Sequence, residues 1–327
     1  MITRGFLLGK FMPPHAGHVA LIEAAAKLVD RLTVLVCWLP DDPIPGPLRL
    51  AWMKQMFPLC RVVGHGEVVP QDPSDDPKFW PIWKGIVDTV HPEPVDLVFA
   101  GEDYGIELAR QLGGLFVPLG GRIRETDDPV GSLSSTSVRG DPARYWPLLP
   151  EPVKAHYRRT VCLHGSESTG KSTLAAQLSR ELGFHWVPEY GRSHCEVHRE
   201  PLTRDDLLLI GRAQHAMAAA AARWAGPVLL LDTDALMTAA WCEMLLGERP
   251  AELMEAEKAD LYLLLEPDLP WVDDGTRFFS DPGDRQRFAA IAEAVLEDAG
   301  VRYERIGGGG AVRLEKARAA IAGLGDQ

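Results

Sequence analysis

The chain has 327 residues, of which 46% are hydrophobic and 24% are charged, a composition that is typical of folded globular proteins and excludes an intrinsically disordered chain. At about 150 residues per domain, this length predicts two domains. Acidic residues number 46 against 34 basic ones, and the net charge of −12 argues against nucleic acid as a partner, although a local basic cleft could still bind small anions.

The cysteines and the apolar runs indicate the compartment. The five cysteines include no CxxC pair, and their odd number favours free thiols in a reducing cytosol over disulfides or a zinc site. The N-terminus has no apolar signal-peptide core, and no apolar run approaches the ~20 residues of a membrane span. We therefore expect a cytoplasmic protein with no membrane partner; the sequence leaves open whether it forms a homo-oligomer.

The first half of the chain alternates strand and helix patterns. A short apolar strand at Gly5–Leu8 is followed by a turn-rich segment, a helical run at Val19–Val29 and a continuous apolar run at Leu32–Leu39. Strand, helix and strand in close succession form a βαβ unit, and a continuous apolar strand is typical of a buried parallel sheet. Further strands are predicted at Asp96–Ala100 and Leu115–Pro118.

Two histidines stand at the transition from the first strand to the first helix. His15 and His18 are three residues apart, so both imidazoles can face one ligand, donate hydrogen bonds to phosphate oxygens and stabilise charge in a transition state. Gly17 permits close approach of the backbone, and Gly9 and Lys10 lie just upstream. An HxxH pair alone is more typical of a surface or a metal site, but no third ligand follows at a standard zinc spacing.

A second candidate phosphate site is the run of small hydroxyl residues at Ser134–Arg139. The hydroxyls of Ser135 and Thr136, the Arg139 guanidinium and nearby backbone N–H groups could bind a triphosphate tail. The alternative is an ordinary helix N-cap.

The stretch Asp141–His156 contains four prolines and is predicted to be a linker or the end of the first domain. We place the two domains at residues 1–152 and 153–327.

The second half begins with a phosphate-binding motif. A strand predicted at Thr160–Leu163 leads into a loop that matches GxxxxGK[ST] at every fixed position, and a helix is predicted at Ser172–Leu182. Glycines let backbone N–H groups converge on phosphate oxygens, Lys171 would reach the β- and γ-phosphates, and the Ser172 hydroxyl would bind Mg²⁺. The predicted phosphate-binding residues are Gly165, Ser166, Glu167, Ser168, Thr169, Gly170, Lys171, Ser172 and Thr173.

Carboxylates follow the next predicted strands. Asp232 and Asp234 come directly after a buried strand at Pro227–Leu231, on the same edge of a parallel sheet as the P-loop. One could hold Mg²⁺ and the other could orient or deprotonate an attacking hydroxyl. Both are predicted catalytic residues and Asp232 a metal ligand, but the sequence leaves open which of the two is the base and which binds the metal. The alternative is that each caps the next helix. Glu189, after a possible strand at Phe184–Val187, is a further candidate for metal or substrate contact.

Two other polar groups have competing explanations. Asp273–Arg277, with Arg285 and Arg287, could close over a transferring phosphoryl group through Arg277, or could be a solvated surface loop. The histidines and the cysteine of the segment His194–His198 could be read as a metal cluster, but a helix face fits their spacing better.

The motifs together carry a resemblance to a known family. GKFMPPHAGH resembles the GxFxPxHxGH signature of the nucleotidyltransferase superfamily, and SSTSVR resembles its ISSTxxR signature. Joined to the P-loop half, the chain is similar to the bifunctional nicotinamide-nucleotide adenylyltransferase/ribosylnicotinamide kinases, the NadR-type family. The further matching segments are RLAWMKQMF, GEDYG, PEYGR, LDTDALMT and DDGTR.

This resemblance implies an α/β protein with an N-terminal Rossmann-like HxGH nucleotidyltransferase domain and a C-terminal P-loop kinase domain, both with parallel sheets. It implies a kinase that converts nicotinamide riboside to its mononucleotide (NMN) with ATP and Mg²⁺, and a transferase that joins NMN and ATP into NAD and pyrophosphate. It also implies that the catalytic residues include His15, His18 and Lys171. Contacts with the nucleotide are implied for Gly9 and Lys10, although the residue at the position of Lys10 varies within the superfamily.

The departures from the family pattern are few. Some members carry an N-terminal helix-turn-helix repressor domain, whereas here the first strand starts within ten residues of Met1, so DNA regulation is not implied. Ser134 replaces the usual apolar residue of its signature. No motif fixes the nicotinamide pocket. The aromatic candidates for stacking on the pyridinium, each with core packing as its alternative, are Trp80, Trp83, Tyr104 and Trp241.

Two other functions stay compatible with the motifs. The same fold could transfer a nucleotide to another phosphorylated metabolite and phosphorylate another nucleoside. A nucleotide-sensing regulator with degenerate catalysis is the third alternative, and the intact HxGH, SSTxxR and GKST motifs argue against it.

Overall fold

The structure, a computed structural model, describes residues 2–119, 133–198, 201–270, 278–279 and 281–324. The chain divides into two compact units, Met1–His156 and Tyr157–Gln327. Within the described ranges, no helix is both long and apolar enough to cross a membrane.

The first unit is a parallel sheet with helices. Its strands are β1 (Arg4–Gly9), β2 (Arg31–Cys37), β3 (Arg61–His65), β4 (Leu97–Ala100) and β5 (Leu115–Pro118), in the order β3-β2-β1-β4-β5. Its helices are α1 (Ala16–Leu28), α2 (Gly46–Met56), α3 (Phe79–Val90), α4 (Tyr104–Leu112), α5 (Ser135–Gly140) and α6 (Glu151–Tyr157). Every pairing in the sheet is parallel, as predicted. The sequence analysis missed β3, because its short RVVGH segment carries little apolar pattern.

The order of these strands creates a crevice. Because β1 lies between β2 and β4, the chain leaves β1 toward one side of the sheet and β4 toward the other, and ligands of open parallel sheets bind where such connections part. Gly9 ends β1 and is followed by the histidine motif, while Gly101 follows β4. The two connections meet at the carboxyl edge of the sheet.

The proline-rich stretch predicted as a linker is folded. A 3-10 helix spans Trp146–Leu148 and α6 follows, with a proline near the start of each, where a missing N–H breaks no helical hydrogen bond. Leu149 and Val153 are buried, and the His156 ring packs edge-on at 5.2 Å from the Trp52 ring. These contacts tie α6 to the first unit, so the division between units falls after residue 156, whereas the predicted boundary was 152.

The second unit is also a parallel sheet between helices. Its strands are β6 (Arg159–His164), β7 (His185–Val187), β8 (Val228–Leu231), β9 (Leu261–Leu265) and β10 (Tyr303–Ile306), in the order β10-β9-β6-β8-β7. Its helices are α7 (Lys171–Leu182), α8 (Tyr190–His198), α9 (Arg204–Ala222), α10 (Ala235–Leu246), α11 (Ala251–Met254), α12 (Pro282–Asp298) and α13 (Gly310–Ala322). The central strand β6 precedes the P-loop and β8 precedes Asp232, so the two motifs lie side by side at one edge of the sheet.

Candidate functional site

The two histidines of the first unit fix each other through the start of α1. His15 is the N-cap residue, and its Nδ1 accepts a hydrogen bond from the Gly17 N–H at 3.2 Å. His18 Nδ1 accepts from the His15 N–H at 3.3 Å, and the ring centroids lie 3.9 Å apart. Since both Nδ1 atoms act as acceptors, each neutral ring carries its proton on Nε2. The pair therefore offers two Nε2–H donors.

Gly17 is required by the His15 ring. A Cβ at this position would lie 3.1 Å from His15 Cε1 and 3.2 Å from its Nδ1, closer than side-chain carbons normally approach. The sequence analysis expected the missing side chain of Gly17 to let a ligand approach the backbone closely. In the structure the His15 imidazole occupies this space, because it folds back over the first turn of the helix.

Burial keeps both imidazoles neutral. It lowers the pKa of His15 to about 4, and burial together with the charge of His15 lowers the pKa of His18 to about 3. At neutral pH the histidines therefore act as uncharged hydrogen-bond donors and not as cations.

We expect acid to destabilise the first unit through these histidines. Both pKa values lie below the value near 6.5 of an unfolded histidine, so as the pH falls the unfolded chain binds protons first and the folded state loses stability. Between about pH 7 and about pH 5 the loss should be about 1–2 kcal/mol per histidine. Urea unfolding of the wild type and of the His15→Asn/His18→Asn variant measures it. The variant should lose less stability, and an equal loss would contradict the assignment.

The hydroxyl run at Ser134–Arg139 packs against the loop that precedes His15. The Ser134 hydroxyl caps α5 by accepting from the Ser137 N–H at 3.0 Å. Ser135 Oγ donates to the Pro13 carbonyl at 3.0 Å, and the Arg139 guanidinium donates to the Met12 carbonyl. Arg139 also donates to Thr136 Oγ1 at 3.2 Å. The structure therefore brings the second predicted phosphate-binding segment to the first one.

A fully buried arginine, Arg49, binds the backbone carbonyl of Lys10; the sequence analysis did not single it out. Arg49 donates to the carbonyls of Lys10 at 2.5 Å, Ile44 at 2.9 Å and Cys37 at 3.3 Å. It also pairs with Asp42 at 2.5 Å, and Lys10 Nζ lies 3.9 Å from the same carboxylate. The only sign of Arg49 in the sequence was that RLAWMKQMF, which begins with it, resembles the family, because no local pattern marks an arginine that binds distant carbonyls.

The P-loop of the second unit wraps around its lysine. Lys171 Nζ donates to the carbonyls of Gly165 at 2.8 Å and Ser166 at 3.0 Å, and Thr169 Oγ1 donates to the Ser166 carbonyl at 2.8 Å. Gly165 has φ +133°, and a Cβ there would lie 2.7 Å from the Leu265 carbonyl oxygen, so only glycine fits. This loop ends at the N-terminus of α7, where backbone N–H groups favour an anion.

A second buried arginine, also missed from sequence, supports the P-loop. Arg313 of α13 donates to the carbonyls of Thr169 at 2.5 Å, Glu266 at 2.8 Å and Gly308 at 2.8 Å. It also pairs with Asp268. The loop is thereby fixed to the end of β9.

A cavity of about 470 Å³ extends from the P-loop. It is lined by residues 167–173 and Asp232 and by further polar and aromatic side chains. The latter include Trp186, Glu189, Arg192, Gln214, Trp241 and Phe278. The Trp241 and Phe278 rings meet edge-on, with centroids 5.6 Å apart. A cavity of this volume with both aromatic and polar lining suits a small ligand that carries an aromatic group and several hydroxyls.

Asp232 and Asp234 occupy different environments. Asp232 lines the cavity, and its Oδ1 is buried without a hydrogen-bond partner among the described residues. Burial raises the pKa of Asp232, while the Ser172 hydroxyl hydrogen bond and the Lys171 charge act in the opposite direction. Its contacts are thus with the P-loop residues that the sequence analysis placed beside it.

Asp234 is a helix cap. Its Oδ1 accepts from the N–H groups of Leu236 at 2.9 Å and Met237 at 3.2 Å, and its Oδ2 accepts from the Tyr262 hydroxyl at 2.5 Å. It does not line the cavity that contains Asp232. The structure therefore supports the capping alternative for Asp234 and gives no support to its predicted catalytic role.

The other polar candidates from the sequence make no hydrogen bond to the P-loop among the described residues. Arg277 and the rest of Asp273–Arg277 lie outside the described residues. Arg285 donates to the Leu269 carbonyl at 3.3 Å. His194 is buried in α8, 3.5 Å from Asp206, as a helix-face residue would be. In the described part of the chain, no group of three or more His, Cys, Asp or Glu side chains could hold a metal ion.

Of the four aromatic candidates for stacking on the pyridinium, Trp241 lines the cavity and the other three do not. Trp83 belongs to the core and donates its indole N–H to a backbone carbonyl at 3.0 Å, while Trp80 packs edge-on against a neighbouring ring. The Tyr104 hydroxyl donates to the Leu8 carbonyl at 3.1 Å, at the end of β1.

Known proteins resemble both the second half of the chain and the chain as a whole. The protein-family model described as an AAA domain matches residues 160–313, which contain the P-loop and Asp232. The "Trifunctional NAD biosynthesis/regulator protein NadR" of Escherichia coli (strain K12) is 29% identical over 331 residues, which cover 93% of this chain and 78% of that protein. Its counterpart from Salmonella typhimurium (strain LT2) is 27% identical, covering 92% and 78%.

Two solved structures share the fold. A NadR protein in complex with NAD and AMP-PNP has a TM-score of 0.73 and 20% identity, covering 100% of this chain and 97% of that one. A NadR protein in complex with NR also has a TM-score of 0.73, with 22% identity and coverage of 99% and 96%. The predicted α/β fold with two parallel sheets is therefore confirmed.

Proposed function

We propose that this chain is a bifunctional enzyme of NAD biosynthesis, in which the second unit phosphorylates nicotinamide riboside with ATP and the first unit adenylylates NMN to NAD. The observation that carries the proposal is one cavity lined by the P-loop, Asp232 and Trp241. Similarity over 93% of the chain to a protein named for NAD biosynthesis supports the substrate class.

The cavity suits transfer of a phosphoryl group to a nucleoside hydroxyl. The P-loop backbone and Lys171 would bind the β- and γ-phosphates of ATP, as such loops do. The aromatic face of Trp241, which also lines the cavity, would stack on the cationic nicotinamide ring. A riboside held between them would present its 5′-hydroxyl to the γ-phosphorus, and catalysis would rest on positioning and charge.

The donor set fits Mg²⁺. Mg²⁺ prefers oxygen ligands and takes one or two from the protein and the others from phosphates and water. The buried, unpartnered Oδ1 of Asp232 and the neighbouring Ser172 hydroxyl supply such ligands. Bound there, the ion would neutralise charge on the phosphates. The hydroxyl proton needs an acceptor, and the candidates in the cavity are Asp232 and Glu189, because Glu167 accepts two backbone hydrogen bonds.

Isosteric variants should separate the two aspartates. Asp232→Asn should lower kinase kcat by about 10²-fold and raise the Mg²⁺ requirement, because the metal site loses its charge. Asp234→Asn should leave kcat near the wild-type value, whereas Asp234→Ala should cost about 2–4 kcal/mol of stability, since the cap and the partner of the Tyr262 hydroxyl are both lost. Coupled-assay kinetics and thermal unfolding of all three variants test this. A kcat loss confined to Asp234→Asn would contradict the assignment.

The first unit suits direct displacement on ATP. The phosphate of NMN would attack the α-phosphorus, the bond to the departing pyrophosphate would break, and no covalent enzyme intermediate would form. The Nε2–H groups of His15 and His18 would donate to the phosphate oxygens on which charge builds. Lys10 and Arg139 would hold the β- and γ-phosphates, and the switch point of the sheet would hold the two substrates.

One incubation tests both activities. The purified protein is supplied with Mg-ATP and nicotinamide riboside, and NMN and NAD are separated and quantified. Phosphopantetheine, riboflavin phosphate and glycerol phosphate serve as competing acceptors for the transferase. The proposal requires NMN to appear first and NAD to follow. Transfer to another acceptor without NAD formation would assign the fold a different substrate.

A further inference from the structure

The acidic residue of the P-loop turns its carboxylate toward backbone donors of a distant segment. Glu167 Oε2 accepts from the Phe278 N–H at 3.0 Å, and Glu167 Oε1 accepts from the Phe279 N–H at 2.6 Å. The residue is only 8% exposed. Both oxygens therefore have a donor, which an amide could not match, because its NH₂ group would face one of the N–H groups.

Phe278 contributes to the aromatic lining of the cavity, and Phe279 packs against the Trp241 ring that also lines it. Phe278 lines the cavity, and its ring lies 5.6 Å from the Trp241 ring. The Phe279 ring stacks on Trp241 at 6.0 Å and meets Phe288 edge-on at 5.7 Å. The backbone position at residues 278–279 thus determines which aromatic surface faces the ligand.

We propose that Glu167 is a positioning residue that fixes Phe278 against the nucleoside and thereby sets the affinity of the cavity for its nucleoside substrate. The proposal rests on the kinase activity argued above. The sequence analysis expected Glu167 to contact phosphate, but a carboxylate repels phosphate, and both oxygens are engaged by Phe278 and Phe279. Its position in the P-loop couples the loop that binds ATP to the wall that binds the nucleoside.

The first test compares Glu167→Gln with a matched control. Glu167→Gln keeps the size of the side chain and removes one acceptor, so the KM for nicotinamide riboside should rise about tenfold while the KM for ATP stays within about twofold. Glu181→Gln, an exposed residue of α7 with a surface ion pair to Arg318, should change neither constant. A general defect of the P-loop would instead raise the KM for ATP or lower kcat alone.

A double-mutant cycle decides whether Glu167 acts through Phe278. Phe278→Leu removes the ring and keeps the N–H, and it should also raise the riboside KM. Added to this variant, Glu167→Gln should raise that KM by much less than it does alone, because the ring that it positions is gone. Additive effects would overturn the proposal.

A second pair keeps the test valid if Glu167→Gln does not fold. Phe278→Pro lacks the N–H that Phe278→Leu retains, and neither alters the P-loop sequence. Since both variants lack the ring that Glu167 positions, the riboside KM of Phe278→Pro should equal that of Phe278→Leu and lie above the wild-type value. A higher KM in Phe278→Pro than in Phe278→Leu, or a wild-type KM in Phe278→Leu, would overturn the proposal. Wild-type phosphorylation of nicotinamide riboside is measured first: its absence refutes the proposed function, whereas an active wild type with an unchanged riboside KM in Glu167→Gln refutes only the role of Glu167.

Discussion

Lys171→Ala should lower phosphorylation of nicotinamide riboside by about 10²–10³-fold while adenylyl transfer to supplied NMN continues. The ammonium lies within the P-loop, 2.8 Å from the Gly165 carbonyl oxygen and 3.0 Å from that of Ser166, and these hydrogen bonds fix its position. A site that works by positioning and charge loses both when this cation is removed. The residues proposed for adenylyl transfer belong to the other unit, so we expect that reaction to continue without Lys171.

The two reactions are measured separately, phosphorylation with nicotinamide riboside plus ATP and adenylyl transfer with NMN plus ATP. Lys84→Ala, an exposed lysine of α3, is the matched control and should retain both activities. If Lys171→Ala abolished both reactions while circular dichroism showed a folded protein, the model of two independent sites would fail.

His18→Ala should produce the reverse pattern. NAD formation from NMN should fall by about 10²–10³-fold, the usual effect of removing one donor to a developing oxyanion. The structure gives the physical reason, since His18 Nδ1 accepts the His15 N–H and leaves Nε2–H as the donor. Riboside phosphorylation should be unchanged, so the variant should accumulate NMN from riboside and ATP. His215→Ala, an exposed histidine, is the control.

The same variant series tests the direct-displacement mechanism. With ATP labelled on the α-phosphate, rapid quenching during turnover should recover no adenylyl group on His15 or His18. Burial holds both rings neutral, with pKa values of about 4 and about 3, and leaves each Nε2 protonated as a donor, which disfavours it as a nucleophile. A stable adenylyl-histidine would overturn this mechanism even if the substrates were correct.

The local motifs could be predicted because their chemistry lies in contiguous residues. The P-loop at residues 165–172 follows a strand and begins a helix, and HxGH does the same at the end of β1. Continuous apolar runs identified the parallel strands, since strands buried on both faces carry few polar residues. The strands with weak patterns, β3 and β10, were missed for the same reason.

Aspartates at strand ends could be placed near the site but not given roles. Asp232 and Asp234 are separated by one residue, and their spacing fits both metal binding and capping. Their side chains point to opposite environments, one into the cavity and one onto α10 and Tyr262. Only the packing of β9 beside β6 determines that the Tyr262 hydroxyl meets Asp234.

The sequence by itself determined the two α/β units, the two phosphate-binding motifs and the charged residues that could contact a nucleotide. The tertiary structure alone decided what supports them: Arg49 behind Lys10, Arg313 behind the P-loop, and Glu167 bound to residues 278–279. These contacts join residues that are 39, 144 and 111 positions apart, so no local period or spacing reveals them. Buried guanidinium and carboxylate groups require hydrogen-bond partners, and the fold determines which backbone groups supply them.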